Sequence, residues 1–335
     1  MGSRIKKLLQ NSLGIIIGSV FLFLTLRKKS MTPIWESLAN ADYFFIILSF
    51  VCLFVIFYLR ALRWKLIIEE SGEKPKSDKV LTSILLGYFV NSFTPKFGEI
   101  IRCTSLQKTA NVPVSVSMGS VMAERAYDLL ILGIGVFAIF WVELDRLQSI
   151  IDSTLGGISH IYGYRYLYVI PFALVVLFIL FLISLRRLKK SERRPIKKIV
   201  EFLQSMFLSL KQGLLLKKRF HFIVLTILIW AMLITLNYIY LLCLPETSSY
   251  SISFAIVVLF IGGIGWALPS PGGIGTTHFL LLQLFVAFQL DPNAGISFGI
   301  LSNGLTFIGT IVIGGYGYFR YWVETRTLAK SEKNK

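Results

Sequence analysis

Twelve residues, Ala267-Leu-Pro-Ser-Pro-Gly-Gly-Ile-Gly-Thr-Thr-His278, constrain the fold of this chain more than any others. They separate two apolar runs, Ile252–Trp266 and Phe279–Phe288. Each run is shorter than the roughly 20 apolar residues a helix needs to cross a bilayer. Pro269, Pro271, Gly272, Gly273 and Gly275 prevent a straight helix from continuing. Backbone broken at membrane depth must be buried in protein or line a water-filled cavity, because lipid cannot satisfy its N–H and C=O groups. The stretch predicts a re-entrant hairpin with its tip at a polar site. A tight turn between two full helices at the membrane surface is the alternative.

A second break, Asn91-Ser-Phe-Thr-Pro-Lys-Phe-Gly-Glu-Ile-Ile-Arg102, follows the short apolar run Val80–Val90 and precedes a weakly apolar one that ends near Thr109. In both stretches a glycine stands eight residues before a proline, Gly87 before Pro95 and Gly263 before Pro271. Interrupted short segments in corresponding places of two halves point to a transporter-type site at a repeat interface.

The chain is 55% hydrophobic, with a mean hydropathy of +0.69, which marks a polytopic membrane protein and not a soluble domain. Its net charge of +17 comes from Lys and Arg clustered in short loops. That pattern reads as membrane topology, with anionic lipid head groups as partners and no nucleic acid. Cys52, Cys103 and Cys243 lie in or beside apolar runs and suggest neither disulfides nor a metal site. At the N-terminus, Arg4, Lys6 and Lys7 precede the apolar run Leu13–Leu26, which ends in Arg27-Lys28-Lys29 and not in a cleavage site. The run is expected to be a retained first transmembrane helix.

The fold class expected is all-α and polytopic, with about six full transmembrane helices and two re-entrant hairpins, or eight to ten hydrophobic segments in all. The helices fall at about 12–26, 42–61, 117–140, 166–185, 220–244 and 294–319, and the hairpins at about 80–110 and 252–288. The basic loop Arg60–Lys79, the basic run Arg186–Lys198 and a basic tail from residue 320 are expected in the cytoplasm, with both termini. Residues 42–140 and 220–319 then form an inverted repeat within one membrane domain, its hairpins entering from opposite faces. Between the halves, Ile196, Ile199, Val200, Leu203, Met206, Phe207, Leu210 and Leu214 recur at helical spacing among charged residues. Residues 196–218 are expected to form an amphipathic helix on the cytoplasmic surface.

Ionisable residues at membrane depth are costly and usually face an interior cavity. Here they concentrate in the first hairpin (Lys96, Glu99, Arg102) and at the start of the third helix (Glu124, Arg125, Asp128). Glu124 and Asp128, four apart, share a helix face, and Arg125 can pair with Asp128. An arginine fork suits a phosphate, and the carboxylates suit an amine or sugar hydroxyls. These charges can equally neutralise one another and clamp the hairpin, and Lys96 can snorkel to the surface. His278 is a packing residue or a ligand, and Asn91 and Asn303 can satisfy broken backbone or touch substrate. Pro95, Gly98 and the prolines and glycines of the second break line the site. No nucleotide-binding loop, metal motif or nucleophile elbow is present, so neither a cofactor nor catalysis is expected.

The run Asn91…Pro95…Gly98-Glu99…Arg102, then Glu124-Arg125…Asp128, then Pro269-Ser-Pro-Gly-Gly-Ile-Gly275 resembles the membrane domain of lysylphosphatidylglycerol synthase/flippases, the multiple peptide resistance factors, over about residues 10–320. The resemblance implies a flippase-like domain in a bacterial cytoplasmic membrane, with Glu99, Arg102, Glu124, Arg125 and Asp128 matching the family's polar site. Two departures stand out. A stand-alone form without the soluble aminoacyl-transferase domain is expected, and His278 stands where the family's motif usually continues to an acidic residue. The expected function is translocation of a polar-headgroup lipid or lipid-linked metabolite. Rival readings are an ion-coupled transporter of a small anion, a membrane-embedded headgroup transferase using Glu99 or Asp128 as base, and a non-catalytic partner of a separate lipid-modifying enzyme. A homo-oligomer is a further partner to be considered.

The amphipathic segment yields a direct test. A peptide of residues 194–218 should gain helicity, followed by circular dichroism, on anionic vesicles and much less on neutral ones. Each basic residue near the surface contributes about 1 kcal/mol, weakened by salt. Equal helicity on both vesicle types would remove the electrostatic argument.

Overall fold

The computed structural model describes residues 16, 18–27, 31–94, 97–143, 217–268 and 270–333. Those residues are helical, without strands. In chain order they form α1 (18–26), α2 (Thr32–Ala39), α3 (Tyr43–Glu69), α4 (Ser77–Phe93), α5 (Phe97–Ala110), α6 (Val114–Val142), α7 (Arg219–Leu242), α8 (Ile252–Ala267), a 3-10 turn (Pro271–Gly273), α9 (Thr276–Ala287) and α10 (Pro292–Lys333). Four of them, α3, α6, α7 and α10, are long and apolar enough to cross a membrane. The expected fourth helix at 166–185, the amphipathic helix up to residue 216 and the basic run 186–198 lie outside the described residues, as do Pro95, Lys96 and Pro269.

Local chemistry sets the helix ends. α3 starts where the Asp42 carboxylate accepts the Phe44 N–H at 2.8 Å. It runs to Glu69 and not to about 61, so Arg60, Arg63 and Lys65 belong to the helix and not to a loop. Their long unbranched side chains are good helix formers, and the first strong breakers downstream are Gly72 and Pro75. α4 stops at Phe93, α8 at Ala267, each just short of the residue that precedes a proline. α10 continues through the expected basic tail to Lys333 for the same reason as α3, since residues 320–333 contain neither Gly nor Pro.

The chain divides into two compact units, residues 1–121 with 216–335, and residues 122–215. In the first unit, polar contacts fix which helix ends lie together. Lys218 at the start of α7 pairs with Glu69 at the end of α3, at 2.9 Å. Lys65 donates to Ser77 at the start of α4, at 3.0 Å. Lys79 and Asp78 of α4 pair with Glu324 and Arg320 near the end of α10. At the other end the Asp42 N–H donates to the Cys243 carbonyl, and Ser37 donates to Glu246, both at 2.8 Å. One end of the unit is therefore basic, and the opposite end carries Asp42, Glu246 and Asp291.

This places α4 and α5 as a hairpin entering from the basic end and α8 and α9 as a hairpin entering from the opposite end. At about 1.5 Å per residue, each arm is about 18–26 Å long, short of the roughly 30 Å hydrocarbon core. The 3-10 turn at the second tip touches α4 and α10, so the two interrupted hairpins meet inside the unit. The arms of the first hairpin cross where Gly87 faces Gly98, and a Cβ on Gly98 would lie 2.0 Å from the Gly87 carbonyl oxygen. The second crosses at Gly265, whose Cβ would sit 2.6 Å from Thr277. The matched spacing of Gly87 and Gly263 to their prolines thus does not mark equivalent crossings, because each crossing is set by which face of the helix meets its partner arm. α1 runs alongside α9, with Gly18 against Ile274 and Gly275 at the tip and Phe21 against Phe279.

Replacing Gly98 by Ala should force the first hairpin apart and cost about 1–3 kcal/mol, read as a lowered melting temperature in detergent. Gly119→Ala, in α6 where an added Cβ meets nothing within 4 Å, should leave stability unchanged or raised.

Candidate functional site

The first break is closed by one side chain. Asn91, in the last turn of α4, accepts the Gly98 N–H with its Oδ1 at 2.8 Å. The bond reaches across Thr94 and the proline behind it, and satisfies an amide in the first turn of α5, which has no partner in its own helix. One turn on, Arg102 is buried, and its Cβ lies 3.0 Å from where a Cβ on Gly87 would stand. The missing Gly87 side chain is what leaves room for it. The guanidinium lies over the Trp64 ring, 4.8 Å from the centroid, and the Trp64 Nε1–H donates to Ser120 at 2.8 Å. The ring face stabilises a cation in a low-dielectric setting, and the planar fork keeps geometry suited to a phosphate. Glu99 is half-buried in the first turn of α5, where the positive end of the helix dipole favours a carboxylate.

Arg63 was not singled out from the sequence, yet it is fully buried beside Trp64. A signal existed. Ser49, Cys52, Ile56, Arg63 and Trp64 fall on one buried stripe of α3, and Arg63 follows Ile56 by two helical turns. In the second unit, described over residues 122–143, Glu124 is fully buried and Arg125 and Asp128 are half-buried on α6. Glu124 and Asp128 do share a face. Arg63, Glu99, Arg102, Glu124, Arg125 and Asp128 all have interaction partners.

At the second break the polar groups are threaded more tightly. The Thr276 hydroxyl contacts the Gly265 carbonyl at 2.8 Å, the Gly273 carbonyl at 3.1 Å and the Ser270 hydroxyl at 2.6 Å. Gly272, Gly273 and Gly275 have φ of 58°, 70° and 84°, the left-handed region that glycine enters without strain. Pro271 opens the 3-10 turn. His278 lies in the first turn of α9, and its Nδ1 accepts the Gly275 N–H at 3.3 Å. The imidazole caps the helix it belongs to and packs against Gly299 of α10. Asn303 donates to the Gly299 carbonyl of its own helix, at 3.2 Å, and not to broken backbone. Among the described residues no group of His, Cys, Asp and Glu is arranged to hold a metal ion.

Comparison with known proteins adds a family. The model of the family described as "Lysylphosphatidylglycerol synthase TM region" matches residues 11–314. A UPF0104 membrane protein of Methanocaldococcus jannaschii is 23% identical over 92% of this chain and 94% of its own length. A UPF0104 membrane protein of Pyrococcus horikoshii is 22% identical over 90% of this chain and 94% of its own. No solved structure matches the chain.

The seal on the first break can be tested alone. Asn91→Ala removes the acceptor of the Gly98 amide and should cost about 1–3 kcal/mol of stability in a thermal melt. Asn91→Asp, which keeps an acceptor in place, should lose less.

Proposed function

Because the chain belongs to the lysylphosphatidylglycerol synthase transmembrane-region family, we propose that it is a flippase-like transporter, carrying a polar-headgroup lipid across the membrane with its acyl chains left in lipid. The observation that carries this reading is the seat of Arg102, a buried guanidinium on a hairpin too short to span, whose other arm α4 touches the tip of the second hairpin. Such a cation suits a headgroup phosphate, the chemical group common to phospholipids. The headgroup enters from the basic end, passes the hairpins and leaves at the opposite end, while the acyl chains travel along the exposed apolar faces of the helices. Membrane lipids, anionic phospholipid first, are the proposed partners, and the reading is of a transporter and not an enzyme. The asymmetry of basic residues supports the basic end, and both termini, in the cytoplasm. The membrane is the cytoplasmic one, bacterial by the sequence resemblance, while the matched relatives are archaeal.

Vesicles reconstituted with the purified protein test this with a panel of labelled lipids and, in parallel, small soluble anions. Lipid should flip, and Arg102→Gln should slow it about tenfold or more, the equivalent of one lost charged hydrogen bond. Arg102→Lys should fall between, since an ammonium cannot reproduce the fork. Uptake of soluble anions without lipid movement, or an Arg102→Gln variant flipping at the parent rate with its fold intact, would refute the reading.

A further inference from the structure

The second hairpin contains no Asp, Glu, Lys or Arg anywhere between Glu246 and Asp291. Its electrostatic character therefore comes from its helix ends alone. α8 brings carbonyls to the tip, and those of Ile264 and Gly265 have partners there. The Gly265 and Gly273 carbonyls take the Thr276 hydroxyl, Ile264 takes the Leu268 N–H, and Leu268 takes the Ser270 N–H. α9 brings amides. Its own ladder begins with the Phe279 N–H donating to Gly275 at 2.9 Å, so the amides of Thr276, Thr277 and His278 stand ahead of it. With these amides ahead of the ladder, α9 presents the positive pole of a 12-residue helix at the tip.

A second, independent feature lies at the same place. Thr277 is 3% exposed, and its hydroxyl has no hydrogen-bond partner among the described residues. It points into the tip, 2.6 Å from where a Cβ on Gly265 or on Gly273 would stand. In the same turn, a Cβ on Gly272 would meet nothing within 4 Å, so the turn is open at that residue. A buried hydroxyl without a partner is costly and needs an explanation, and an anion seated at the mouth of α9 supplies one.

We propose that the tip of the second hairpin, formed by the first amides of α9 and the Thr277 hydroxyl, is a binding site for the phosphate of a phospholipid headgroup. It rests on the lipid-transport reading and adds to it a second station. Arg102 receives the phosphate in the hairpin entering from the basic end, and the neutral donor site holds it in the hairpin entering from the opposite end. A site without a formal charge suits the release side of such a path, because it binds an anion through dipoles alone and lets it go more readily than an arginine does.

The test is binding of a short-chain fluorescent phosphatidylglycerol to the purified full chain in a neutral detergent, with diacylglycerol of the same chains as the phosphate-free control. The parent protein should prefer phosphatidylglycerol. Thr277→Val keeps the branched shape and should weaken that binding about tenfold, as expected for one hydrogen bond to a charged group. Its melting temperature should stay level or rise, because an unsatisfied hydroxyl is replaced by a methyl. Thr277→Ser keeps the hydroxyl and should bind within about threefold of the parent. A parent that prefers phosphatidylglycerol and a Thr277→Val variant that binds it equally would overturn this site and leave the lipid-transport reading standing. So would equal losses in the Ser and Val variants. No preference over diacylglycerol in the parent would take down both readings. Displacement of the lipid by inorganic phosphate of matching affinity would make the ligand a soluble phosphate and overturn the lipid assignment.

Discussion

Everything distinctive in this molecule follows from the rule that peptide groups within a bilayer must find partners inside the protein. Two of its apolar segments are interrupted by proline and glycine, and each interruption frees backbone groups that lipid cannot satisfy. The chain answers with side chains placed at fixed distances from each break. Asn91 reaches across the first to the Gly98 amide. At the second, Thr276 serves the carbonyls and His278 the Gly275 amide. The long helices α3 and α10 pack against α4, α7 packs against α8 and α10 against α9, while Phe93, Phe97, Trp266 and Ile274 beside the breaks stay exposed.

Solving that problem produces a site. Glycine at the arm crossings brings the backbones close, and at Gly87 it also makes room for Arg102. The buried Arg102 guanidinium is thereby held against the Trp64 ring. The second hairpin, without a formal charge, offers only helix poles and hydroxyls. The two differ in kind, one cationic and one dipolar, and they enter from opposite ends of one unit. On the proposed lipid-transport reading, that asymmetry lets capture and release of an anionic headgroup be governed by different chemistry.

Much of this was legible in the sequence, because proline and glycine act locally. Both breaks, the short arms and the long helices α6 and α7 fall where the apolar runs and their interruptions put them. The errors share a cause. Basic residues report which side of a membrane a segment faces, but they do not end helices, so α3 and α10 run on through residues expected in a loop and a tail. Arg63 was hidden for the same reason, its charge outweighing its place on the buried stripe of α3. The approach of Gly18 to Gly275 joins residues more than two hundred positions apart, and no local pattern announces it. In the sequence His278 reads as either a packing residue or a ligand. In the structure its Nδ1 accepts the Gly275 N–H at the start of α9, a contact that the residue type alone does not announce.

The central claim is that the two hairpins enter from opposite ends and turn back inside the membrane. Single cysteines in a background without Cys52, Cys103 and Cys243, in vesicles of known orientation, test it most directly with a membrane-impermeant thiol reagent. Cysteines at Gly72 and Ser248, in turns at the two ends, should react rapidly and from opposite faces. Cysteines at Thr94 and Ile274, at the two tips, should react slowly from either face. Rapid labelling of Thr94 from the face that labels Ser248, or of Ile274 from the face that labels Gly72, would show full spans in place of hairpins and contradict the account.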